Sequence, residues 1–442
     1  MPRPLLENRC QPCRQRKVKC DGHRPACLRC GRWSRDCQWR HTNGYSEASR
    51  LSVADTASRE AQTYETQTNI QDPGKYISTT DPEQALQNPR VACIFRHYIE
   101  NLASWYDLND RKRHFEDMVP VRARQNSLLL SAILAFSAAS QSSNHSNDSL
   151  SEVADAYHLE SVQALLSLTE NINEFRTGET LAAICILRSY EIISQNVSAQ
   201  NHLRGSYSLI ASGPNDLEPG LMRAGFWNYL REDITVALME KRNLMIELKD
   251  QQPPLLDGEN DPANYISYIL GRVINRCLHK DGEALDKREW DSLKEDLNSW
   301  KASLPSSFGP IITPGLRGGS RFPSAWNTSK WHTASLQYYH TAMSILCLAE
   351  PVPYVMNTLQ HIERMKSIEA KLEYHAIHVC ALAISSNSAP VWVNSFGPIS
   401  FCGSWLRQPE MLVELTTELK KWGGKTGWPV SSVLNSLTKT SG

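Results

Sequence analysis

Apolar residues along this chain fall in blocks. From about residue 90 onward, runs dense in Leu, Ile, Ala and aromatic side chains alternate with polar breaks rich in Ser, Asn, Gly and Pro. Segments 127–140 (SLLLSAILAFSAAS), 156–169 (AYHLESVQALLSLT) and 179–193 (ETLAAICILRSYEII) combine that density with strong helix formers, which predicts helices. The series continues at 201–212, 224–239, 267–278, 289–304, 331–350 and 373–386. Breaks at 142–149, 251–262 and 304–323 separate its members, and such clusters end helices. No run alternates apolar and polar residues strictly for long enough to predict a sheet. The expectation is an all-α body over residues 90–438, with one apolar face per helix in a layered or superhelical arrangement.

Residues 41–89 read differently. They are rich in Ser, Thr, Gln, Asn and Asp and are interrupted by Pro73-Gly74, Pro82 and Pro89. Too little apolar surface is available to offset the entropy of ordering, so this stretch is expected to be a flexible linker. Ala48, Leu51, Ala57 and Ala61 make a poor coiled-coil seam, without sustained heptads. The most apolar stretch of the chain, 128–139, is shorter than the roughly 20 residues a membrane helix needs. No membrane partner is expected. The polar N-terminus carries no apolar signal core, so a reducing, intracellular setting is expected.

The first 40 residues are neither helical nor linker-like. They hold Cys10, Cys13, Cys20, Cys27, Cys30 and Cys37, half of the twelve cysteines in the chain. The spacing is C-x2-C-x6-C, six residues, then C-x2-C-x6-C again, a repeat of 17 residues. C-x2-C is the ligand spacing of structural zinc sites, and zinc takes four ligands in a tetrahedron. Two separate zincs need about eight ligands, while one would leave thiolates idle. The count closes on two zincs if two sulfurs each bridge both metals, the bridging pair occupying equivalent positions in the two halves. Few large apolar side chains are present, so metal binding must supply most of the folding free energy.

Charge sharpens the picture. The chain is neutral overall, but residues 1–40 carry eleven Lys or Arg against Glu7, Asp21 and Asp36, a formal +8. The other 402 residues hold 36 basic and 44 acidic side chains, a formal −8. A basic module on an acidic body points to a polyanion as partner. The same cations favour thiolate over thiol in the cluster. A disulfide scaffold, a metal-storage peptide and a zinc-dependent protein-interaction scaffold are the competing readings. The compartment argues against the first, and the long body against the second.

The N-terminal 40 residues resemble the Zn2Cys6 binuclear-cluster domain of fungal transcription factors, through the six cysteines together with Arg14, Arg16, Lys17, Lys19, Asp21 and Pro25. The resemblance implies that Cys10 and Cys27 bridge. One zinc would then be held by Cys10, Cys13, Cys20 and Cys27, the other by Cys10, Cys27, Cys30 and Cys37. It also implies reading of a CGG-like triplet in the major groove of double-stranded DNA by Arg16 and Lys17, side-chain types suited to G O6 and N7. Arg14, Lys19, Arg29 and Arg32 are the expected phosphate contacts. A nuclear, RNA polymerase II transcription regulator follows as the expectation, the basic cluster doubling as a localisation signal.

The body resembles the fungal-specific transcription factor domain, through 105–120 (WYDLNDRKRHFEDMVP), 224–238 (AGFWNYLREDITVAL), 338–351 (YYHTAMSILCLAEP) and 426–430 (TGWPV). That implies a regulatory role, with a homodimer, the transcription machinery or a small-molecule effector as partners. A ligand-gated sensor without base-specific DNA binding stays open beside it. No HExxH, GxSxG, Walker or Rossmann motif occurs, so no enzyme is expected. His332, His340, His375 and His378 are expected to be structural. Tyr338, Tyr339 and Trp392 are read as core or as pocket lining. The six cysteines outside the cluster are expected to be buried thiols.

Overall fold

The structure is a computed structural model that describes residues 76–145, 148–168, 176–194, 217, 219–248, 262–279, 285–313 and 319–438. The chain divides between Leu51 and Ser52, and every described residue belongs to the second unit. The expected zinc domain, residues 41–75 of the expected linker and the helix expected at 201–212 lie outside the described residues.

The body is helical, as its apolar blocks require. Short helices α1 (Pro82–Leu86) and α2 (Pro89–His97) lead into a wide π turn at Tyr98–Leu102 and a second at His114–Met118, followed by α3 (Val119–Ala123). Then come α4 (Ser127–His145), α5 (Asp148–Leu168), α6 (Gly178–Ser194), α7 (Leu221–Glu240), α8 (Pro262–Cys277) and α9 (Lys287–Ser303). The C-terminal part holds α10 (Lys330–Leu348), α11 (Thr358–Ile384), α12 (Ala389–Cys402), α13 (Pro409–Thr426) and α14 (Ser431–Thr438). Helix starts follow local chemistry. Pro89 opens α2 behind Asn88, whose side chain accepts from Arg90 N, and Asp286 forms a capping box with Glu289 at α9.

Residues 76–89, read from composition as linker, are part of the body. Tyr76 Oη and Ser78 Oγ donate to the Glu160 carboxylate on α5 at 2.6 and 2.7 Å. Thr79 N donates to the same carboxylate at 2.8 Å. One acid thus fastens the entry of the chain. A second departure is a two-stranded antiparallel ribbon, Ile311–Thr313 with Ser324–Trp326, paired Ile312 to Ala325. It lies inside the break at 304–323 and just beyond it, too short to leave an alternating pattern.

Helix α4 packs on α5 and α6; α6 packs on α7; α7 also meets α8 and α12; and α10, α11 and α12 pack on one another. Helices at the middle are not amphipathic. Along α7 nearly every residue from Ala224 to Leu238 is buried, the pattern of a helix surrounded by others rather than one lying on a layer. Gly225 allows the close approach of α6, since a Cβ there would meet Leu181 Cγ at 2.8 Å. Phe136 on α4, fully buried, touches Trp105 and Tyr106 edge-on at 5.7 and 6.3 Å. This anchors the 105–120 segment on the core. Cys185, Cys347, Cys380 and Cys402 are buried as expected, Cys277 is half-buried, and Cys93 is exposed.

Candidate functional site

The residues expected to hold zinc (Cys10, Cys13, Cys20, Cys27, Cys30, Cys37) and to meet DNA (Arg14, Arg16, Lys17, Lys19, Arg29, Arg32) lie outside the described residues. Within the body, one place concentrates buried polar chemistry. It lies where the 105–120 segment crosses the start of α7.

Two aspartates fold that segment. Asp107 accepts from Phe115 N and Glu116 N at 3.0 and 2.6 Å. Asp110 accepts from Lys112 N at 2.9 Å, from His114 N at 3.1 Å and from His114 Nδ1 at 2.5 Å. Together they cap the π turn at His114–Met118, where helix-terminal amides need acceptors. Arg113 sits at φ 53°, a left-handed position that is uncommon for a residue with a Cβ. The hydrogen bond to Asp110 raises the pKa of His114 above its ordinary value. Burial opposes ionisation of Asp110, but the hydrogen bond and charge of His114, helped by the two amides, keep its pKa below the ordinary one. Both shifts favour the charged pair, an Asp110 carboxylate facing a His114 imidazolium. Burial pushes Asp107 up to about 7 despite its two amide partners.

The facing wall is α7. Gly220 precedes it at φ 95°, a conformation suited to glycine, and no side chain caps the first turn among the described residues. Arg223, Trp227 and Arg231 then project on one side, as i, i+4, i+8 spacing requires. Between the walls lies a cavity of about 130 Å³, lined by Tyr106 and Asn109 on one side and by Arg223, Trp227, Asn228 and Arg231 on the other. A smaller cavity of about 50 Å³ adjoins it and shares Tyr106, Asn228 and Arg231.

Arg231 is the buried cation of the site, 7% exposed. Its Nη2 donates to Tyr106 O at 2.7 Å and to Asn228 Oδ1. Its Nε has no partner among the described residues. Burial draws its pKa below the ordinary value. The next residue, Glu232, is pushed by burial up to about 8. Asp233 is better served, accepting from Met245 N at 2.7 Å and Ile246 N at 3.2 Å, with Arg242 at 3.3 Å.

Sequence reasoning did not single out Asn109, Asn228 or Arg231. A signal was there. Residues 231–233 read Arg-Glu-Asp in the middle of an apolar run. Three consecutive helical residues span about 200° of arc, so a helix buried all round must bury some of that charge.

The other polar candidates are occupied. His340 Nδ1 faces His375 Nδ1 at 2.9 Å, and His378 Nδ1 meets Tyr374 O at 2.7 Å. Tyr338 Oη donates to Asn394 Oδ1 at 2.9 Å, and Trp392 Nε1 to Ser386 O at 2.9 Å. None of Tyr338, Tyr339 or Trp392 lines either cavity. Among the described residues no group of His, Cys, Asp or Glu side chains is arranged to hold a metal, and no helix is long and apolar enough to cross a membrane.

Comparison with known proteins covers both parts of the chain. Residues 9–45 match the fungal Zn(2)-Cys(6) binuclear cluster domain, and residues 93–225 match the fungal specific transcription factor domain. The second match takes in the Tyr106–His114 wall of the cavity and the first turn of α7. A transcription activator of Alternaria alternata, AMTR1, is 21% identical over 340 residues, covering 60% of this chain and 44% of the relative. The chain thus spans less than half the length of that relative. No solved structure matches. A stretch like the fungal cluster domain followed by one like the fungal specific transcription factor domain, with a relative named as a transcription activator, supports a fungal Zn2Cys6 transcription factor, a regulator rather than an enzyme.

Proposed function

We propose that the protein is a nuclear, sequence-specific DNA-binding regulator of genes transcribed by RNA polymerase II, and that it reads a CGG-like triplet in the major groove. The observation that carries this reading is the duplicated C-x2-C-x6-C array inside a block of formal charge +8, within the stretch that matches the binuclear-cluster domain. The donor set fits the metal. Six thiolates are soft ligands at zinc spacing, and they satisfy two tetrahedral ions when Cys10 and Cys27 are shared. Zinc supplies the folding free energy that so small an apolar content cannot.

The chain's own residues do the reading. Arg16 and Lys17 donate to guanine O6 and N7, while Arg14, Lys19, Arg29 and Arg32 meet phosphates and set affinity and salt dependence. The helical body serves regulation, with self-association and contact with the transcription machinery as its expected partnerships.

The test is selection of bound duplexes from a random DNA pool by the full-length, zinc-loaded chain. Enrichment of a CGG-like triplet is the expected result, and the spacing of paired triplets reports the oligomeric state. Recovery of DNA without an enriched motif at moderate salt would contradict base reading and favour a protein-interaction role for the zinc module.

A further inference from the structure

We infer that the cavity between the 106–114 segment and α7 is a binding site for a small organic carboxylate, held by Arg231 and Asn109. This goes beyond the DNA-reading proposal and does not depend on it.

Three observations converge. The first is an unanswered cation. Arg231 is 7% exposed, yet among the described residues no carboxylate lies within ion-pair distance of it, and its Nε has no acceptor. A buried charge without a counter-charge is costly, and the cost is relieved by an anion. The neighbouring acids answer it only in part. Burial pushes Asp107 up to about 7 and Glu232 up to about 8, so both are held toward the neutral form, and the carboxylate of Asp110, which also acts on Arg231, is engaged by His114.

The second is Asn109. It is also 7% exposed, it lines the cavity, and both its Nδ2 and its Oδ1 are without partners among the described residues. Buried amides are nearly always satisfied. One donor and one acceptor left open beside a cation fit a ligand with an acid group and a hydroxyl or amide group next to it. Asn264 Oδ1, on the same cavity, is a further open acceptor.

The third is the field and shape of the space. Arg111, Lys112 and Arg223 line it together with Arg231, while its one acid, Asp110, is already paired with His114. The start of α7 adds the positive end of a helix dipole without a side-chain cap. Trp227, Ala224 and Pro219 supply apolar wall, which favours a carbon skeleton over a bare inorganic anion. At about 130 Å³ the space is comparable to the ~150 Å³ of an engineered cavity that takes up benzene. The ligand is therefore a small acid and not a nucleotide.

The test uses the full-length, zinc-loaded chain. Acetate, lactate, succinate and benzoate are titrated by calorimetry and thermal denaturation, each beside its neutral amide, with inorganic phosphate as a further probe. At least one acid is expected to bind saturably and raise the melting temperature, while its amide does not. Asn109→Leu is expected to weaken that acid about tenfold, by removing buried hydrogen-bond partners. Arg231→Gln is expected to weaken it on the order of 100-fold. Arg231 also holds Tyr106 O and so supports the fold; the exposed Lys112→Gln is therefore measured in parallel, with an expected loss of about threefold from the weaker field. The inference is overturned if no acid binds, if the amide binds as well as its acid, if phosphate outcompetes every acid, or if Asn109→Leu and Lys112→Gln both leave the affinity unchanged.

Discussion

The cysteine block and the helical body of this protein reach order by opposite routes. The block has six soft ligands at metal spacing and few large apolar side chains, so its fold is expected to depend on what it binds. The body has a continuous apolar core running from Ala85 to Leu437, so its fold depends on what it excludes. Metal ligation is written locally, in the identity and spacing of a few residues. Packing is spread over many positions, and any one of them can be read wrongly without loss of the whole.

That contrast is tested most severely by taking the metal away. Cys27→Ser, or chelation of the full-length chain, is expected to reduce specific DNA binding by about a thousandfold or more, to the non-specific level. The helical circular dichroism of the body should persist. Loss of that signal together with DNA binding would show that the two routes are not separate.

The converse change is Phe136→Ala, which empties a fully buried site against Trp105 and Tyr106. A loss of about 3–5 kcal/mol in denaturant stability is expected, with the selected DNA motif unchanged. A loss below about 1 kcal/mol would mean that the core can collapse around the hole.

Acid provides the next test. Burial, with the charges of His378 and Lys371, draws His375 from 6.5 to about 4, and burial with His375 and His378 draws His340 well below 6.5. The unfolded chain therefore takes up these protons first. This contribution is intact above pH 6.5 and is lost as pH falls toward 4, about 3 kcal/mol from His375. His340→Gln should flatten that slope. Glu232 acts in the opposite sense. Its folded value near 8 against an ordinary 4.5 means that stability falls as pH rises through that window. Glu232→Gln should remove that fall. Denaturant midpoints measured from pH 4 to 8 separate the two; parallel slopes in wild type and both variants would contradict the assignments.

Within the block, Lys17→Ala is expected to cost about 1–3 kcal/mol in specific binding and to relax the triplet preference. Arg29→Ala has the smallest expected effect. It should lower affinity evenly across sequences and reduce the salt slope by about 1. A change of base preference in Arg29→Ala, or none in Lys17→Ala, would exchange their roles.

The sequence was most legible where one rule dominated. Helices α4, α6, α7 and α8 were visible as apolar blocks because they pass through the core. The first half of α11, from Thr358, was missed because it is exposed and polar. Helix α12 was missed because it carries Pro390 and Pro398, residues that read as breaks. The ribbon at Ile311–Thr313 and Ser324–Trp326 is too short for a period of two to register. The cavity was illegible for a different reason. Asn109 looks like an ordinary surface residue; the Arg-Glu-Asp run at 231–233 signals buried charge but not its neighbours, and only the crossing of two segments more than a hundred positions apart, seen in the Arg231 to Tyr106 hydrogen bond, brings them to one cavity.

DNA reading by this chain depends on the metal content of the block. Elemental analysis of the purified, reduced full-length chain measures it directly. Two zinc ions per chain are predicted by six thiolates with two of them shared; one ion or none would contradict the account.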